Sequence, residues 1–371
     1  MSDLNDPLTS PDIIYSGTGQ LPATGTFQGI PGVECTRYGC LYACWYGGGA
    51  GEGPDNFVLI ARKTFRDKHW QAPEWAINHA DTNIRCFDPC LWIDPEQRLW
   101  CFWAQSFSPE EGTIVDGVNG VWATVCDNPD DAIPVWTEPR RLCDGIMLNK
   151  PTVTSRGEWL FPVSIWADGL GNGKIAEHLR EFTGANIYYS IDHGRTVLYR
   201  GVCTLPGGEI FDEHQFVELR DGRIWCLMRK TYGIGEGFSE DDGRSWYNCA
   251  PSVLKGPNSR FAIRRLRSGN LLLINHQCRP EESGEWRVRE KLTAYLSYDD
   301  GASWSHGTLL DIREEVSYPD VTEAPDGTIL CIYDRRRYHE GEILLQRFTE
   351  AELSKEAIST PPEIVNSLQL K

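Results

Sequence analysis

Long apolar runs are missing from this sequence: no window approaches the ~18 unbroken apolar residues that a membrane-spanning helix requires. Its opening residues, Met1-Ser2-Asp3-Leu4-Asn5-Asp6-Pro7, have neither the basic start nor the apolar core of a signal peptide, which points to a cytoplasmic protein. Positive charge is also short. A net charge of −17 argues against nucleic acid and anionic membrane as partners, although a local cluster of arginines can still reverse the field within one pocket. The 13 cysteines carry no zinc spacing: Cys35, Cys40 and Cys44, and the pair Cys86 and Cys90, lack Cys-x2-Cys. Cys101, Cys226 and Cys331 lie inside apolar runs, so reduced, buried thiols are expected, with neither a metal nor disulfides. Cofactor loops are absent too. Gly233-Ile234-Gly235-Glu236-Gly237 lacks the spacing and helix of a dinucleotide loop, and Asp299-Asp300-Gly301 lacks the ligand series of a calcium loop.

What the chain has in quantity is aromatics, glycine and proline: 14 Trp, 14 Tyr, 13 Phe, 36 Gly and 22 Pro, a composition of short strands and many turns. It also has a repeat. Ser297-Tyr298-Asp299-Asp300-Gly301-Ala302-Ser303-Trp304 reads Ser-x-Asp-x-Gly-x-Ser/Thr-Trp, and the pattern recurs at Ser239 to Trp246 and at Ser190 to Thr196, where Val197 replaces the tryptophan. The Asp side chain can accept backbone N–H groups of its own turn, while Gly takes the positive φ. Phe65 to Trp70 reads as a decayed copy, and Trp136 fills the tryptophan slot of another. Hairpin signals such as Arg220-Asp221-Gly222-Arg223, Arg267-Ser268-Gly269-Asn270 and Ala324-Pro325-Asp326-Gly327 fall between strand-like runs. Six such strand groups predict an all-β chain, a six-bladed β-propeller. The boundaries expected are an irregular segment over 1–25, with a short strand near Ile13 to Tyr15, a single propeller over 26–350, and a short helix and tail over 351–371. The helix opens on the capping box Thr349-Glu350-Ala351-Glu352.

A propeller gathers the starts of its inner strands around one central opening, so polar residues there are better chemical candidates than the peripheral turns. Three stretches qualify: Phe211 to Leu219 with Arg229 beyond it, Arg287 to Leu292, and Val316-Ser317-Tyr318-Pro319-Asp320. Here the sequence resembles the sialidase (neuraminidase) superfamily, known for this repeated turn, the Asp-box or BNR repeat; the resemblance covers nearly all the chain after about residue 26. It implies an exo-glycosidase acting on a terminal sugar that bears a carboxylate, with no cofactor. Tyr318 would be the nucleophile and Glu213 its base, with Arg229 and Arg289 as two members of a carboxylate-binding arginine triad. The chemistry is coherent. A carboxylate nucleophile would be repelled by the substrate's own carboxylate, whereas a phenol stays neutral until a base takes its proton. Arginine binds a carboxylate through a planar fork that lysine cannot reproduce.

The resemblance departs at two places. The first arginine of the triad is missing: Phe27-Gln28-Gly29-Ile30-Pro31 has Gln28 in its neighbourhood, leaving Arg37 or Arg85 to reach in from elsewhere. The acid/base is expected in Gly51 to Asn56, at Asp55 or next at Glu52. His214 is either at the sugar or a hydrogen-bonded scaffold residue; Arg335-Arg336-Arg337 reads as a solvated face, and Asp88 with Arg85 as an ion pair. Two rival functions fit the same pattern. One is a lyase on uronate-containing glycans with His214 or Tyr318 as base; the other is a propeller that binds carbohydrate without catalysis. Nothing in the sequence sets an oligomeric state.

Overall fold

In the computed structural model, which describes residues 8–370 apart from 109–115, 119, 167–174 and 209–210, the chain forms six antiparallel sheets in sequence order. They are the blades of a β-propeller, and each blade runs outward from its first strand. The inner strands are Gln28–Cys35, Ile84–Ile93, Thr152–Val153, Asp212–Glu218, Ala262–Arg265 and Val316–Glu323. Tight turns at Gly222, Gly269 and Gly327, with φ of +89°, +86° and +85°, reverse the inner strands of blades 4, 5 and 6. These turns lie at the far ends of the strands, so the strand beginnings gather at the opposite mouth of the axis.

The repeated Ser-x-Asp-x-Gly turns join the third and fourth strands of blades 3, 4 and 5. In blade 5, Asp299 accepts the Ser303 N–H at 2.8 Å, Ser297 Oγ accepts the Gly301 N–H at 2.7 Å, and Gly301 has φ +93°. A Cβ on Gly301 would meet the Trp225 ring of blade 4 at 2.7 Å, and one on Gly243 would meet Ile187 of blade 3 at 2.2 Å. The turns therefore clamp each blade onto its predecessor, and glycine is required by both the φ and the contact. They take no part in the central opening.

Both ends of the chain extend beyond the boundaries expected. Asp12–Tyr15 pairs with Trp75–Asn78 as a fifth strand of blade 1. Glu363–Asn366 is the fourth strand of blade 6, so the propeller does not stop at 350, and the region taken as a tail completes its last blade. The short helix is a 3-10 turn over Glu350–Ser354, with Glu352 accepting the Thr349 N–H at 3.0 Å. Among the described residues the first and last blades do not share a strand. Side chains close the ring instead: Asp334 accepts the Ile30 N–H at 2.7 Å, Asp320 accepts the Val33 N–H at 2.9 Å, and Thr322 donates to Glu34 at 2.8 Å. Midway along the axis, buried Lys150 donates to the Val33 and Leu91 carbonyls at 2.7 and 2.6 Å and pairs with Glu34 and Asp320 at 3.0 and 2.9 Å. All thirteen cysteines are free thiols.

Four inner strands share an irregularity that positions the site. The register slips by one residue between Gly29 and Gly32, Phe87 and Cys90, Asp212 and Gln215, and Ser317 and Asp320. At each slip a non-glycine residue takes a positive φ: Ile30 (+57°), Asp88 (+49°), Glu213 (+44°) and Tyr318 (+54°). Such bulges re-aim a side chain out of the sheet's alternation, and L-residues hold that conformation at a cost of about 1–3 kcal/mol each.

Candidate active site

Two of those bulges meet. Tyr318 Oη, from blade 6, donates to Glu213 Oε1 of blade 4 at 2.8 Å; both residues are buried. Arg229, at the end of the second strand of blade 4, reaches both: its Nη1 lies 2.7 Å from Glu213 Oε1 and 2.8 Å from Tyr318 Oη, while its Nε donates to Asn258 Oδ1 at 2.6 Å. Arg289 approaches from blade 5, its guanidinium 5.6 Å from the centre of the Tyr318 ring and its Nη2 on the Asn258 carbonyl at 3.0 Å. Tyr318, Glu213, Arg229 and Arg289 thus converge in one place.

The electrostatics of these groups differ. Burial pushes the Tyr318 phenol well above its usual range, with Glu213 adding to the rise, while Arg229, Arg289 and Arg337 pull the other way. The phenol is neutral at rest, and three guanidiniums lower the cost of its deprotonation. Arg229 has an anion, Glu213. Arg289 has none: among the described residues it makes no ion pair, and its buried Nε lacks a hydrogen-bond partner. Burial lowers the Arg289 pKa, and the neighbouring guanidiniums of Arg337 and Arg229 lower it further. A cation in that state favours any anion that can enter beside it.

Sequence reasoning missed the third arginine. Arg337, taken as part of a solvated run, is buried with its guanidinium 4.4 Å from the centre of the Tyr318 ring. It pairs with Asp334 at 2.9 Å and Glu52 at 3.3 Å and donates to Ser317 Oγ at 2.8 Å. Its Cβ would lie 3.1 Å from a Cβ on Gly29, beside the gap noted at Gln28. Burial works against the Arg337 charge, but Asp334 and Glu52 outweigh it and raise the pKa. Its two predecessors do face outward, Arg335 on Glu342 at 2.8 Å and Arg336 on Glu315 at 3.0 Å. Arg336 has φ +49°, and that kink turns the third arginine inward.

The other expected residues divide. Gln28 is buried but points away, its Oε1 accepting from Trp45 Nε1 at 3.2 Å and Asn366 Nδ2 at 3.1 Å. Arg85 is buried over the Phe87 ring at 4.0 Å and acts on Glu52 and Asp88 electrostatically. Arg37 follows the far end of the blade 1 inner strand, where it lies over Tyr38 at 4.7 Å, and does not reach in. His214 turns into the seam between blades 3 and 4, with Ser164 Oγ at 3.2 Å and the Asn186 carbonyl at 2.9 Å on its two ring nitrogens; burial lowers its pKa to about 3. It is the scaffold histidine, not a group beside a ligand. Glu52 also receives the Tyr338 hydroxyl at 3.0 Å. Its side chain is 38% exposed, and against what desolvation remains the Arg337 and Arg85 guanidiniums lower its pKa, so it is ionised. Asp55 is exposed and touches none of the four central residues among the described residues. The Asp88 carboxyl, expected to pair with Arg85, makes no ion pair among the described residues. The same residues hold no cluster of side chains suited to a metal ion.

A cavity of about 650 Å³ opens at the other mouth of the axis, lined by Glu34, Trp92, Lys150, Arg264 and Thr322. Its cations and anions alternate and none of the four bulged residues faces it, so the geometry favours the Tyr318 end for chemistry.

Comparison with known proteins agrees with the fold. Residues 39–331, well over half of the chain, match the family described as the BNR repeat-like domain. No curated protein sequence matches. Among solved structures, the Hadza microbial sialidase Hz136 is 18% identical with a TM-score of 0.68 over 88% of this chain and 66% of its own. The Trypanosoma rangeli sialidase, solved in complex with sialic acid, is 14% identical with a TM-score of 0.65 over 95% of this chain and 59% of its own. This chain therefore spans about two thirds or less of those two. A protein of unknown function from Dyadobacter fermentans, 12% identical with a TM-score of 0.63, matches over 91% of this chain and 96% of its own. The chain belongs to the BNR repeat-like domain family.

Proposed function

We propose that the protein hydrolyses the glycosidic bond of a terminal sugar bearing a carboxylate, sialic acid or a related acidic sugar, with retention at the anomeric carbon. One observation carries this reading: a buried Tyr318–Glu213 hydrogen bond of 2.8 Å sits beside Arg289, a guanidinium without an anion among the described residues. The substrate carboxylate docks against Arg289, with Arg229 and Arg337 flanking it. Positive charge develops on the ring carbon as the leaving group departs. Tyr318 Oη attacks that carbon as its proton passes to Glu213, and the guanidiniums stabilise the developing phenolate. Water then displaces the phenol from the sugar. Of the two bases named for a lyase, His214 is set aside because both of its ring nitrogens are engaged, and Tyr318 is left.

The test is Tyr318→Phe, assayed with 4-methylumbelliferyl glycosides of N-acetylneuraminic acid and of uronic acids. Turnover of the responsive glycoside should fall at least ~100-fold with the melting temperature held. Undiminished turnover would end the reading. An unsaturated product absorbing in the near ultraviolet would favour a lyase.

A further inference from the structure

Expulsion of the leaving oxygen needs a proton, and the blade 1 loop offers no carboxyl ready to give one. Glu52 is held ionised by Arg337 and Arg85, and Asp55 is exposed and out of contact with Tyr318 and Glu213 among the described residues. Another carboxyl is better placed. Asp88 occupies in blade 2 the bulge that Glu213 occupies in blade 4 and Tyr318 in blade 6, with the same one-residue slip and a φ of +49° against +44° and +54°. Blades 2, 4 and 6 alternate around the axis, so these three side chains start about a third of a turn apart in a six-bladed ring. Asp88 is 7% exposed, and its carboxyl has neither a hydrogen bond nor an ion pair among the described residues. A buried carboxyl with no structural partner, held in a strained conformation, is costly unless it is used.

We infer that Asp88 is the acid/base of this site, an assignment that rests on reading the site as a retaining glycosidase. In the first step the Asp88 carboxyl gives its proton to the glycosidic oxygen as the carbon–oxygen bond breaks, the Tyr318 oxygen bonds to the carbon, and the phenolic proton goes to Glu213. In the second, the Asp88 carboxylate takes a proton from water, the hydroxide bonds to the carbon, and Tyr318 leaves and recovers its proton from Glu213. The sum is glycoside plus water giving sugar plus alcohol.

The surroundings keep the proton on Asp88. The charged and titratable groups that act with it are Arg85 on its own strand, Glu52 from blade 1, Glu213 from blade 4, Arg260 at blade 5, and the Tyr46 phenol of blade 1. Burial pushes the Asp88 carboxyl up to about 7 against the pull of Arg85, with Glu52 and Glu213 adding to the rise and Arg260 opposing it. An acid must be protonated to act, so activity is present below that value and declines as pH rises through it.

Asp88→Asn is the test, since asparagine accepts a positive φ as readily as aspartate. With a 4-methylumbelliferyl or nitrophenyl glycoside, whose leaving group needs little protonation, kcat/KM, which reports the first step, should stay within about tenfold of the parent while kcat falls because the second step has lost its base; with an alkyl or sugar leaving group kcat/KM should fall roughly 100- to 10,000-fold. The alkaline limb of the pH–rate profile should disappear. A second arm reads stability. A raised carboxyl starts to cost the fold as pH passes its unfolded value of 3.8, and the cost is complete once pH passes about 7. The variant's gain in melting temperature over the parent should therefore be larger at pH 8.5 than at pH 5. Equal losses in kcat/KM on both kinds of leaving group, no loss on either, an equal gain in melting temperature at both pH values, or the leaving-group signature appearing instead in Asp55→Asn or Glu52→Gln would each overturn the assignment. If Tyr318→Phe is dead and Asp88→Asn is normal, the acid assignment alone fails; if Tyr318→Phe is fully active, the glycosidase reading fails with it.

Discussion

Replacing Arg337 with lysine keeps a cation beside Asp334 but removes the planar fork over the Tyr318 ring. If Arg337 helps hold the substrate carboxylate, the change removes a charge-assisted hydrogen bond of about 1.5–3 kcal/mol. That corresponds to a fall of roughly 10- to 150-fold in kcat/KM. A methyl ester of the same substrate offers no charge to the fork, so its much lower kcat/KM should barely change. The assay is a two-by-two comparison: parent and Arg337→Lys, acid and ester, with the fold monitored by thermal melting. Lysine should hold the melting temperature near that of the parent, because the buried Asp334 keeps a counter-charge as well as the Ile30 N–H and the Ser317 hydroxyl. Arg337→Met leaves that carboxylate without a cation, a loss of about 3–5 kcal/mol for a broken buried pair. If acid and ester lose the same factor in the lysine variant, Arg337 only supports the fold, and the reasoning fails.

Two further predictions concern the scaffold. Lys150→Met removes two carbonyl contacts and the cation that Glu34 shares with Asp320, which keeps only Arg260 at 3.7 Å, so unfolding should be easier by about 3–5 kcal/mol; an unchanged urea midpoint would show that the axial lysine is dispensable. The repeated turns predict an acid-sensitive fold. Hydrogen bonds from Thr196, Ser245 and Ser303 lower Asp192, Asp241 and Asp299 from 3.8 to about 2. A lowered carboxyl stabilises the fold above its unfolded pKa and loses that contribution as pH falls through its folded pKa. Urea midpoints should therefore drop between about pH 4 and pH 2. The triple Asn variant should show a flatter profile in that window; a decline as steep as the parent's would refute the role given to these turns.

The architecture was legible because its signals are local. An Asp that accepts its own turn's N–H groups, a Gly at positive φ and a following aromatic sit within eight residues, as at Ser297 to Trp304, and the repeat multiplies the evidence. The pairing of Tyr318 with Glu213, separated by 105 positions, carries no local signal and was implied only by the resemblance to the sialidase superfamily. What escaped depends on backbone reversals that no periodicity records. Arg335, Arg336 and Arg337 look alike in sequence, and only the φ of +49° at Arg336 sends the last of them inward. Asp88 looks like a partner for Arg85 until the bulge in its strand is seen. The fourth strand of blade 6 is preceded by a 3-10 turn and an irregular segment, so its four residues resemble a tail.

The gap at Gln28 and the arrival of Arg337 are one structural event. Gln28 Oε1 accepts hydrogen bonds from Trp45 and Asn366, its backbone N–H donates to the Arg337 carbonyl at 3.3 Å, and its amide nitrogen donates to the Gly341 carbonyl. Gln28 therefore fastens the loop that carries Arg337. A guanidinium has no acceptor, so an arginine at position 28 could not receive the Trp45 and Asn366 hydrogens. Gly29 completes the exchange, since a Cβ there would come within 2.9 Å of Asp334 Oδ2 and 3.1 Å of Arg337 Cβ. A guanidinium rooted in blade 6 follows the strand paired with that of Tyr318, so the phenol and this cation are held by one sheet, and Glu52 adds to the Gln28 and Ile30 contacts that tie them to blade 1.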